Sequence, residues 1–121
     1  MHIPVSRIFE VGEVVRATEE DSTQHLRLAI GEMSPKSDYA RIRSVTDAVF
    51  RELGLTIEVT PLTDHELAPV FLPGRAAAIT LIGEMAGVMG EVAPEVITAW
   101  SLDHPVVVAE LDADVLLANL I

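Results

Sequence analysis

The chain has 121 residues, half of them hydrophobic, and its 19 acidic and 8 basic side chains give a formal charge of −11 at pH 7. A chain of this length can bury roughly two-thirds of its unfolded surface, so a disordered segment is excluded, and so acidic a surface argues against direct binding to phosphate backbones. Cysteine is absent, which excludes disulfides, thiolate zinc sites and cysteine nucleophiles.

The first segment, "RIFEVGEVVR" (7–16), alternates between two faces as a strand does, and Gly12 in its middle predicts a bulge or the close approach of another backbone. A polar, acidic loop follows. "HLRLAIGEM" (25–33) then predicts a second strand antiparallel to the first. In "SPKSD", Ser37 or Asp38 is a suitable N-cap, and Tyr39, Ile42, Val45, Val49 and Leu53 fall at three- and four-residue steps. That stripe is a helix, with Gly54 placed to end it in the left-handed conformation.

"LTIEVTPL" (55–62) reads as a strand and "TDHELAP" as a loop. Two strands, about 76–82 and 85–92, are expected to join at Gly83-Glu84 through a type II′ or I′ turn. Pro94 opens a short helix reaching about Trp100, "PVVVAELDAD" (105–114) is a mostly buried strand, and "VLLANLI" is an apolar tail. The expected class is α+β, a mainly antiparallel sheet flanked by helices, with residues 1–121 forming a single domain. No apolar run approaches the ~20 residues of a membrane span, and the amino terminus has no signal-peptide pattern. A cytoplasmic protein without a membrane partner is expected.

Chemistry is harder to find. The histidines at 2, 25, 65 and 104 are scattered without ligand spacing, the serines lack a nucleophile-elbow context, and "DHE" at 64–66 lies in a turn-rich loop. No catalytic residue and no metal site is assigned. Gly83, Gly87 and Gly90 sit within a hairpin rather than opening a helix after a strand, so they do not make a phosphate cradle. Arg75, after Pro73-Gly74, is either a surface arginine paired with one of the chain's acids or a fork-shaped donor fixing the corner or gripping a partner's carboxylate. Ala76, Ala77 and Ala78, with Gly87 and Gly90 across the hairpin, leave room for a helix of this chain or of another subunit to pack closely.

These segments resemble the beta subunit of phenylalanine–tRNA synthetase of the archaeal and eukaryotic type, in the carboxy-terminal part of its catalytic-like module. Phe9, Glu10, Val11 and Gly12 match the family's Phe-Glu-Ile/Val-Gly strand. Pro73, Gly74, Arg75, Ala76 and Ala77 match its Pro-Gly-Arg block with small residues. Gly83, Gly87, Gly90, Pro94, Glu95 and Val96 match its glycine run with one extra residue in the first gap, and Ala109, Glu110, Leu111 and Asp112 match three of four positions of Phe-Glu-Leu-Asp.

The resemblance implies a class II synthetase-like sheet and a non-catalytic module that packs on the catalytic alpha subunit in tRNA aminoacylation, with no activity of its own. Pro73, Gly74, Arg75, Ala76, Ala77, Gly83, Gly87 and Gly90 would then form the interface. ATP and magnesium would belong to the alpha subunit, with no cofactor on this chain and no direct nucleic-acid contact. Arg16 stands near the place of the class II arginine that holds the ATP α-phosphate. With Glu10 it makes at most a vestigial nucleotide site, because the third class II motif does not follow Asp112. The domains that precede this segment in the family are not in the sequence, so a fragment, a truncated form or a free-standing paralogue is expected. The rival readings are such a paralogue binding an amino acid or nucleotide, and an enzyme using Arg16 and Glu10. An isolated chain with an uncovered apolar face would be prone to self-association.

Overall fold

The computed structural model describes residues 6–17 and 22–120. Strands β1 (Ser6–Ala17) and β2 (Ser22–Met33) pair antiparallel from Ser6 opposite Met33 to Ala17 opposite Ser22. Gly12 lies opposite Arg27 in this unbroken ladder, and among the described residues nothing stands within 4 Å of where its Cβ would be. The expected bulge or close approach at Gly12 is therefore not found.

Helix α1 (Tyr39–Glu52) is capped by Asp38, whose Oδ1 accepts the Arg41 amide at 2.9 Å, and Glu91 accepts the Tyr39 amide at 3.0 Å. Two of the helix's orphan donors are thereby satisfied. Gly54 ends it at φ +72°, with the Leu55 amide donating to the Phe50 carbonyl at 2.9 Å in a Schellman arrangement. The helix carries the chain across the sheet to β3 (Glu58–Pro61), which is shorter than the expected 55–62.

Strand β4 (Phe71–Leu81) starts well before residue 76, because the Pro73-Gly74-Arg75 corner is an irregularity inside it, between the Phe71 and Ala76 pairings. Strand β5 (Glu84–Val92) returns from a turn whose central residues are Ile82 (φ +51°) and Gly83 (φ +74°). Two positive φ angles make a type I′ turn, and Leu81 pairs with Glu84. The connection is thus one residue earlier than Gly83-Glu84. Helix α2 (Pro94–Ala99) has Pro at its first position, β6 (Val106–Asp112) follows, and the apolar tail forms helix α3 (Ala113–Ala118), capped by Asp112.

The six strands form one antiparallel sheet in the order β1-β2-β6-β5-β4-β3. Ile42 and Phe50 of α1 and Val115 and Leu116 of α3 share one core with Ile30, Ala77, Ile79, Met89, Val107, Ala109 and Leu111. Because strand side chains alternate faces, Ala29, Gly31, Val106 and Val108 belong to the face opposite the helices. At the β4–β5 end, the β3–β4 loop, with a 3-10 turn at Ala68–Val70, lines a cleft together with Val88 and Glu110. Over β1, β2 and β6 that face carries a wide groove.

Candidate functional site

Pro73, Gly74 and Arg75 are exposed on β4, with Gly74 at φ +80°. The Arg75 side chain is 60% exposed and its Nη1 lies 3.6 Å from Glu91 Oε2, the same carboxylate oxygen that caps α1. Arg75 thus pairs across the hairpin with an acid of its own chain and ties the corner to β5 and to the start of α1. Ala76 is half-buried and Ala77 fully so, in the core beneath the helices.

The glycines have intramolecular reasons. A Cβ at Gly90 would stand 2.7 Å from both the Ala76 Cβ and the Arg75 carbonyl oxygen. At Gly87 it would meet Leu111 Cδ2 at 2.9 Å and press against the Glu110 carbonyl oxygen. Real Cβ atoms do not approach so closely, so both glycines let β5 lie tightly between β4 and β6. Gly83 serves the turn. Gly74, early in β4, and Gly83, in the turn after it, are nine residues apart, about 30 Å at strand rise, so the corner and the turn are separate patches of one hairpin.

The turn also displays an exposed apolar residue. Ile82 is 85% exposed at φ +51°, a left-handed conformation that costs a β-branched residue about 1–2 kcal/mol. Met85 beside it is 43% exposed. The dipeptide Ile82-Gly83 was the available signal, since Gly suits the second central position of a type I′ turn as well as the first.

A second unforeseen feature is the cluster on Glu32, which is buried. Its Oε2 receives the Nε of Arg7 and of Arg41, each at 3.0 Å, and its Oε1 receives the Ser37 hydroxyl at 3.0 Å. Burial pushes this carboxyl up, but the hydrogen bonds from Arg41, Ser37 and Arg7 and the charge of Arg41 outweigh it and hold the group below its ordinary 4.5. The cluster clamps edge strand β1, β2 and α1 together. Ser37, the alternative N-cap, is occupied here instead.

Among the described residues no group of His, Asp and Glu could hold a metal ion. His65 accepts the Leu67 amide at 3.0 Å within its own turn, and His104 lies 3.9 Å from Asp103. His2 falls outside the described residues. Glu10 and Arg16 are six residues apart on β1, about 20 Å along the strand, and the Arg16 side chain lies outside the described residues.

Glu10 instead lines the open groove, of about 510 Å³, together with Ile8, Ala29, Gly31, Val106 and Val108. At its border Arg27 Nη1 lies 2.9 Å from Asp112 Oδ2, and Arg27 Nε lies 3.6 Å from Glu110. Among the described residues the buried Nη1 makes no well-aligned hydrogen bond, so this contact is an ion pair of charges in proximity rather than a directed bond.

Residues 2–113 match the family described as the phenylalanyl tRNA synthetase beta chain CLM domain. The chain is 42% identical over 106 residues to the phenylalanine–tRNA ligase beta subunit of Methanococcoides burtonii, covering 88% of this chain and 18% of that protein. It is 40% identical over 105 residues to that of Archaeoglobus fulgidus (87% and 18%) and 33% identical over 110 residues to that of Aeropyrum pernix (91% and 19%). The chain therefore spans about a fifth of the length of the curated relatives it matches.

Proposed function

The chain belongs to the phenylalanyl tRNA synthetase beta chain CLM domain family, and from that premise we propose that it serves tRNA aminoacylation as a non-catalytic structural component of a phenylalanine–tRNA ligase. In this reading its class II synthetase-like sheet packs against the catalytic alpha subunit in the cytoplasm, and ATP and magnesium bind there rather than here. The beta-subunit names of the relatives support it.

The observation that carries the reading is Ile82. A strained, β-branched residue holding an apolar side chain in solvent at a hairpin tip is a disadvantage for an isolated domain. It becomes useful when a partner buries it. The packing patch at the hairpin tip therefore includes Ile82 and Met85.

Ile82→Asn tests this, because Asn tolerates the left-handed conformation. The variant should raise the chain's own unfolding free energy by about 1 kcal/mol while weakening association with the co-expressed alpha subunit about tenfold, measured by calorimetry. ATP–pyrophosphate exchange should require the alpha subunit. A chain that stays apart from alpha, or that performs the exchange unaided, overturns the proposal.

A further inference from the structure

We infer that the open half of the sheet, over β1, β2 and β6, is a second docking groove, and that it takes an apolar segment of the alpha subunit bearing a basic side chain. The inference rests on the alpha-subunit reading above and adds to it a surface and a chemistry.

The floor of the groove is made of small and β-branched residues, Ala29, Gly31, Val106 and Val108, and Ile8 stands at its rim 62% exposed. At about 510 Å³ it lies within the range of sites that accept a few side chains, and its position on an open sheet face suits a polypeptide lying along it. A wholly apolar occupant would leave its charge unmatched. Glu10 pairs in register with Ala29, and Ala29 pairs with Glu110. Two carboxylates therefore flank one exposed alanine across three adjacent strands, about 10 Å apart at the usual strand spacing. Arg27 offsets Glu110 only in part, since it lies 3.6 Å from that carboxylate and 2.9 Å from Asp112.

That pattern selects among occupants. A nucleotide or nucleic acid would bring phosphates to a carboxylate pair. A second copy docked face to face would bring a second acidic pair, and no added base, onto the same apolar face of a chain already at −11. A partner segment with apolar side chains over Gly31 and Val108 and one Lys or Arg between Glu10 and Glu110 satisfies both the surface and the charge.

The test uses the whole chain with the co-expressed alpha subunit and two variants at exposed positions, Ala29→Trp to fill the groove and Glu10→Lys to reverse its charge. Each should weaken association by about tenfold or more, and Glu10→Lys should also flatten its dependence on salt, with the thermal midpoint of the free chain unchanged. If the wild-type complex forms and both variants bind as wild type does, the groove is not a docking surface, while the hairpin reading stands. If the wild-type chain does not bind alpha at all, both fall. A dimer of this chain that Ala29→Trp dissolves overturns the inference in favour of a second copy.

Discussion

Thr46 is completely buried in α1, and among the described residues its hydroxyl has no hydrogen-bond partner. Such an unmatched group costs free energy that a methyl group of the same shape does not. Thr46→Val should therefore raise the unfolding free energy by about 1 kcal/mol, read from urea denaturation. Glu32 is the opposite case, a buried acid that is fully matched. Its folded carboxyl is held below the ordinary 4.5 of the unfolded chain, so its stabilisation is complete above that pH and is lost as pH falls through the folded value. Glu32→Gln should cost roughly 2 kcal/mol at neutral pH and should lose less stability than the wild type when acidified below about 4.5, followed by thermal unfolding across pH. Neither role was legible in the sequence. Glu32 shares the face of Leu28 and Ile30 by its period, but Arg7 and Ser37 reach it only after β1 and the β2–α1 turn are in place.

At the scale of elements, α1 was legible almost to the residue, because its stripe, its Asp38 cap and its Gly54 stop are all local. The hairpin was legible as two strands and a turn, but not in register. The ladder shifts between Ile79 and Thr80, which moves the turn onto Ile82-Gly83. The small residues invited a reading of close approach, and close approach is present, with β4 and β6 of the same sheet as neighbours. Gly90→Ala follows from this. Its Cβ would collide with backbone atoms at 2.7 Å and 2.8 Å, which cannot give way as a flexible side chain does. The expected loss is about 2–3 kcal/mol in urea unfolding, in the free chain and without any partner. A loss seen only in the complex would mean that the glycine serves an interface alone.

For the whole molecule, the acidic excess works at long range. Any partner of a chain at −11 approaches through an attractive field only if its own face is basic, so under the proposed docking of a basic alpha-subunit segment, association should slow markedly between about 50 and 300 mM salt, measured by stopped-flow mixing. No described helix is long and apolar enough to cross a membrane. The sequence by itself determined the existence of the strands and of helices α1 and α2, the α+β class and the family, because periodicity, caps and glycine positions act over a few neighbouring residues, while helix α3 and the start of β4 were not read from it. Tertiary structure alone decided that β6 inserts beside β2, that Glu91 serves both Arg75 and the α1 terminus 52 residues from it, and which sheet face the helices leave open. Those outcomes depend on contacts between residues far apart in the chain, whose free energy no local pattern contains.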